Sequence, residues 1–199
     1  MRAAEEARRT EDSWAHRLCD GVGFFLRFLR EPRRLGVPFP HNGRIAAAVA
    51  AELRKHSARR VVELGGGTGS LTRGILEVLD PAERLLCIER DGGFCRRLAT
   101  LFSERVEVVQ GDALDVLRLI KGTVWERPDA VVCSVPLLGG VGPDLCGAIA
   151  SVLPREGVYL QVTNVRKPIE EFFEIRRSRL FLSNIPPEHL YCAFPKQRW

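Results

Sequence analysis

Two rhythms divide the chain. From 13 to 30 the apolar residues Trp14, Leu18, Val22, Phe25 and Leu29 recur in steps of three to four, which places them on one helical stripe. Phe24 and Phe28 widen the stripe, while Arg17, Arg27 and Arg30 lie off its centre. Pro32, Pro38 and Pro40 then break the chain into an extended linker. A second helix is expected over 43–56. After it the period shortens. Residues 61–64, 85–89, 106–110, 130–134 and 158–163 are short apolar or β-branched runs. Helical stretches at 71–79, 93–102, 113–119 and 143–153 separate them. Such alternation predicts a parallel sheet with helices on both faces. The last two strands, 178–182 and 189–194, are joined only by the turn region around Asn184-Ile185-Pro186-Pro187, and a link that short makes an antiparallel pair. The expected architecture is α/β and Rossmann-like: a mostly parallel seven-stranded sheet with an antiparallel C-terminal hairpin. The expected division is an N-terminal amphipathic helix and linker over 1–42, and a cofactor-binding domain over 43–199.

The first sheet strand runs into Glu63-Leu64-Gly65-Gly66-Gly67-Thr68-Gly69. A glycine-rich turn between a strand and a helix lies at the carboxyl edge of an open α/β sheet, where ligands bind. A dinucleotide fingerprint counted from Gly65 needs its third glycine where Ser70 stands. A phosphate-binding loop of the nucleotide triphosphatases needs a Gly-Lys pair, which is missing. Carboxylates stand at three successive strand ends instead. Glu63 precedes the glycines, Glu89 closes the second strand, and Asp112 follows the third, ahead of Ala113. Acids suit a ligand with a sulfonium, an ammonium, a ribose diol and an adenine amino group. Glu89 is placed to accept from both ribose hydroxyls and Asp112 from the adenine amine. Glu63, Gly65, Gly67, Gly69, Glu89, Arg90, Asp112, Ala113 and Ser134 are therefore the expected cofactor residues, for S-adenosylmethionine and its product S-adenosylhomocysteine. Arg90 and Asp91 beside Glu89 read as solvated surface.

With these motifs the chain resembles the class I methyltransferases, and more narrowly the bacterial phospholipid N-methyltransferases. The likeness runs from about Phe25 to Phe194. It rests on the amphipathic entry segment and linker through Arg44, on Ser134-Val135-Pro136-Leu137-Leu138 after the fourth strand, on Leu160-Gln161-Val162-Thr163-Asn164, and on Asn184-Ile185-Pro186-Pro187-Glu188-His189-Leu190. Asn164 stands where the family usually has tyrosine, and Ser134 replaces a glycine. The resemblance implies methylation of phosphatidylethanolamine towards phosphatidylcholine; ornithine-lipid N-methylation is the nearest alternative. An RNA adenine dimethyltransferase carries an amide and a stacking ring after the fourth strand, and Ser134 and Leu137 occupy those places. A non-catalytic lipid- or cofactor-binding module is the alternative of another class, and the intact loop with both downstream acids argues against it.

Transfer of a methyl group to an amine asks mainly for alignment. The backbone acceptors around Ser134, Val135 and Pro136 are the expected catalytic groups, because Pro136 contributes no N–H. His41 and Asn42 end the linker and are expected to close over the cofactor. On the substrate and membrane side the expected residues are Trp14, Phe24, Phe25, Arg27, Phe28, His41 and Asn164. Net charge is +5 over 199 residues, with arginines frequent before Arg34 and a basic cluster from Arg176 to Arg179. That balance suits an anionic lipid surface, and the N-terminal helix is read as lying in it, as a core lid, or as both in turn. The six cysteines include no Cys-x-x-Cys pair, so no metal site is expected, and Cys87 and Cys133 read as buried reduced thiols. The longest apolar run, Ile45 to Ala51, is too short to span a bilayer. No signal peptide is seen, and a cytoplasmic protein peripheral on the inner face of the membrane is expected.

Overall fold

Five short apolar runs fold as the parallel core of one sheet. The structure, a computed structural model, describes residues 43–138, 140–182 and 187–196. Expectations for Trp14, Phe24, Phe25, Arg27, Phe28, His41 and Asn42, and for most of the last turn, lie outside those residues. Helix α1 (Gly43–Lys55) leads into β1 (Val61–Leu64), α2 (Ser70–Leu76), β2 (Leu85–Glu89), α3 (Gly92–Leu101) and β3 (Val106–Gln110). A 3-10 turn (Ala113–Asp115) and α4 (Val116–Ile120) precede β4 (Ala130–Cys133), α5 (Val141–Val152) and β5 (Val158–Thr163). The chain ends in α6 (Lys167–Phe172), β6 (Phe173–Phe181) and β7 (Glu188–Pro195). The seven strands lie in the order β3-β2-β1-β4-β5-β7-β6. β1 pairs in parallel with β2 and β4, and β7 pairs antiparallel with both β5 and β6. The expected architecture is present.

Alternation along each strand divides the core into two layers. Val61, Leu85, Cys87, Val132 and Leu160 face one side, against Ile45, Val49 and Leu53 of α1 and Leu71 and Ile75 of α2. Val62, Leu64, Ile88, Val131 and Tyr159 face the other, against Val116, Leu145 and Ile149 of α4 and α5. The described cysteines, Cys87 and Cys133 among them, are buried free thiols. Among the described residues no helix is long and apolar enough to cross a membrane.

Several bounds differ from expectation. β4 ends at Cys133, which leaves Ser134 in the loop beyond it. α2 is shorter than 71–79, and α5 starts two residues early, at Val141. α6 was not foreseen, and β6 starts at Phe173 where a strand was expected only from 178. Between α1 and the last strands, Arg177 donates to Glu52 at 2.8 Å and lies 3.4 Å from His56 Nε2 and 4.0 Å from Cys192 Sγ. The guanidinium supplies the positive charge of that cluster.

Candidate active site

The strand order reverses between β1 and β4, and the crevice above that reversal receives the glycine-rich loop and the segment after β4. Gly65, Gly67 and Gly69 all adopt positive φ, at 83°, 52° and 87°, which residues with a side chain rarely adopt. A Cβ on Gly66 would fall 2.4 Å from Cys87 Sγ, so the loop sits directly on the sheet. A Cβ on Gly67 would meet nothing within 4 Å, so the outer face of the loop is open.

Glu89 shapes this loop. Its Oε2 accepts from Gly67 N–H at 2.9 Å and its Oε1 from Asp91 N–H at 2.8 Å. Each oxygen keeps a further lone pair, while the side chain is almost wholly buried. Asp91 is not bare surface: it caps α3 by accepting from Gly93 and Phe94 N–H at 2.8 and 2.9 Å. Asp112 accepts from Leu114 N–H at 3.0 Å, and Arg90 stands 3.8 Å from its carboxylate. Arg90 is exposed, Asp112 half-buried and Ala113 buried. Glu89 closes β2 opposite Gln110, and Asp112 follows β3 two residues later, so both lie at the carboxyl edge.

Glu63 points below the loop rather than into the open crevice. Alternation in β1 puts it on the face of Val61, under α2, and it is 1% exposed. Its Oε2 accepts from the Thr72 hydroxyl at 2.7 Å. Its Oε1 is buried beside the Cys87 thiol. Burial pushes the carboxyl up to about 7, against the opposing pull of the Thr72 hydroxyl. Thr72, the partner of Glu63, was not foreseen; its place one helical turn after the glycines was the available signal.

The segment after β4 is clamped from both sides. Ser134 Oγ donates to Gly65 O at 2.6 Å, and Ser134 N–H to Leu64 O at 3.1 Å. The Val135 carbonyl accepts from Gln161 Nε2 at 3.2 Å, so one of its two lone pairs is already engaged. Ser134, Val135 and Pro136 are half-buried, Leu137 is buried and Leu138 is 60% exposed. Asn164 is exposed beyond the end of β5. His189 pairs with Thr163 at the same edge, and its Nδ1 is buried without a partner among the described residues.

An electron-poor ligand with hydroxyl and amino donors fits what is present. Glu89 offers two partly used oxygens and Gly67 an open face. Residues 30–119 match the ribosomal RNA adenine dimethylase family. The ornithine lipid N-methyltransferase of Singulisphaera acidiphila is 28% identical over 158 residues, 75% of this chain and 82% of that protein. The ribosomal RNA small subunit methyltransferase A of Cutibacterium acnes is 33% identical over 125 residues, 60% of this chain but only 39% of that protein. Among solved structures, an O-methyltransferase from Bacillus cereus in complex with S-adenosylhomocysteine superposes with a TM-score of 0.66 at 14% identity, over 79% of this chain and 83% of that one.

Proposed function

We propose that this class I S-adenosylmethionine-dependent methyltransferase acts on the primary amine of a membrane aminolipid. The observation that carries the proposal is the acceptor edge itself. From Ser134 to Leu138 it offers backbone carbonyls and aliphatic side chains, with no ring to stack a base and no side-chain amide to read one. Leu138 and Val141, 60% and 41% exposed, stand beside it as apolar surface suited to acyl chain. The lipid-acting relative spans most of the chain. The match to the RNA dimethylase family ends at residue 119, before the acceptor segment, so it speaks for the cofactor half. Phosphatidylethanolamine and ornithine lipid present the same amine chemistry and are the two arms of the test.

When bound, S-adenosylmethionine would supply a methyl on a sulfonium, which an amine lone pair would take as the C–S bonding pair returned to sulfur, giving S-adenosylhomocysteine and a methylated ammonium. The residues of this chain hold and aim. Glu89 and Asp112 receive hydroxyl and amino donors along the edge, and Ser134 fastens the acceptor segment to the loop. The free lone pair of the Val135 carbonyl accepts an amine hydrogen and fixes the direction of the nitrogen lone pair. The amine has an ordinary pKa near that of lysine, so most of it must release a proton to solvent before reacting.

Labelled cofactor should transfer methyl groups to phosphatidylethanolamine or ornithine lipid in vesicles, with mass spectrometry identifying the product. Incorporation into RNA with none into either lipid would overturn the assignment. The proposed location is the inner face of the cell membrane, through the segment before residue 42. Vesicle binding should therefore rise with anionic lipid, each basic residue contributing on the order of 1 kcal/mol, and should weaken without vanishing at high salt. Replacing Phe24, Phe25 and Phe28 by serine should abolish that binding and leave cofactor affinity near normal. A triple variant that still sediments with vesicles removes this segment as the anchor.

A further inference from the structure

β5 is buried at all six positions, and one of them is an amide. Gln161, with no exposed surface, sits between apolar neighbours in the strand. A buried amide is costly unless every donor is used, and here each is. One N–H of Nε2 points to Val135 O at 3.2 Å and the other to Val162 O at 3.0 Å. Oε1 accepts from the Tyr159 hydroxyl. The amide cannot turn over without facing its oxygen to two carbonyls, so its orientation is fixed. Tyr159 is fixed in turn: it is fully buried, with its ring centroid 4.6 Å from that of Phe173. Burial also raises its pKa well above the usual phenol value, so it stays a hydroxyl donor.

Val135 belongs to a segment held at two points. Ser134 ties it to the cofactor loop, and Val135 Cγ2 lies 3.1 Å from where a Cβ of Gly65 would stand. From the β5 side Gln161 reaches the Val135 carbonyl. We infer that Gln161, oriented by Tyr159, is the positioning residue of the acceptor site: it turns the Val135 carbonyl so that its second lone pair faces the incoming amine. The inference rests on the aminolipid reading for the identity of the amine, and on the hydrogen bonds alone for the positioning. It separates two tasks along one loop, with Ser134 serving the cofactor side and Gln161 the acceptor side.

The test uses the full chain and three variants. Gln161→Met keeps volume and removes both donors. Gln161→Glu keeps shape but can donate only when protonated, and then to one carbonyl. Tyr159→Phe keeps the ring and leaves the amide oxygen without its donor. A misaimed acceptor is expected to lower kcat on the order of a hundredfold in Gln161→Met, with the dissociation constant for S-adenosylhomocysteine within threefold of wild type by calorimetry. Gln161→Glu should lose activity as pH rises relative to wild type, since the ionised carboxylate repels the Val135 carbonyl. Tyr159→Phe should fall between. Hydrogen exchange over residues 134–138 should quicken in Gln161→Met, a measurement that needs no acceptor. If wild-type protein methylates RNA and no lipid, the aminolipid reading fails, and the same variants are compared on RNA. Unchanged kcat, pH profile and exchange in both Gln161 variants would overturn the positioning role. Equal loss of cofactor affinity and kcat would overturn it as well, by making Gln161 a general structural residue.

Discussion

Glu89→Ala is expected to weaken S-adenosylmethionine binding by tenfold to more than a hundredfold. A charged hydrogen bond to ligand hydroxyls is worth about 1.5–3 kcal/mol, which alone gives a tenfold effect or more. The structure adds a second loss. The same carboxylate holds Gly67 N–H at 2.9 Å and Asp91 N–H at 2.8 Å, so its removal frees the loop and the entry to α3 together. Glu89→Gln separates the two contributions. It retains one accepting oxygen but turns an NH2 group towards a backbone N–H, so it should bind less tightly than its modest chemical change suggests. Calorimetric titration of folded variants measures both. A folded Glu89→Ala protein with wild-type affinity would remove Glu89 from the cofactor site.

Where the sequence reading succeeded, a simple physical signal was present. The five parallel strands are apolar because helices cover both faces, and their predicted bounds agree with the structure except at Ser134. The glycines and the strand-end acids Glu89 and Asp112 follow directly from those bounds. Where it fell short, periodicity was weak. β6 reads Phe-Glu-Ile-Arg-Arg-Ser-Arg-Leu-Phe, an edge strand exposed through most of its middle, so its start at Phe173 carries no alternating pattern. α6 is a six-residue helix, with Pro168 at its start the only mark. The sequence placed Glu63 next to the glycines but not beneath them; that follows from the side of the sheet on which β1 begins. Val135 was expected as a backbone acceptor, but nothing in the sequence linked it to a residue 26 positions away. A lone glutamine in a buried strand was the available sign that a polar partner had to be near.

Glu63→Gln is expected to stabilise the protein at neutral and higher pH while weakening the cofactor's pH response. The Glu63 carboxyl titrates at about 7 in the folded chain against an ordinary 4.5, chiefly because it is fully buried. Between those values the folded state holds a proton that the unfolded state has lost. Stability therefore falls as pH rises from about 4.5 to about 7 and levels off above that. The shift corresponds to roughly 3 kcal/mol at about 1.4 kcal/mol per unit. Glutamine keeps the Thr72 hydrogen bond and never ionises, so the variant should gain up to about that much at pH 8 and lose the slope in this window. A cationic ligand held at the loop above Glu63 favours the ionised form of its carboxyl. S-adenosylmethionine binding should then release a proton near pH 7, and affinity should rise with pH up to that point in wild type but stay flat in Glu63→Gln. Calorimetry in two buffers of different ionisation enthalpy reads the proton directly, and denaturant titrations at pH 5, 7 and 8 read the stability slope. A wild-type protein that binds without proton release, with a stability profile matching that of Glu63→Gln, would show that Glu63 stays in one protonation state throughout and does not sense the cofactor's charge.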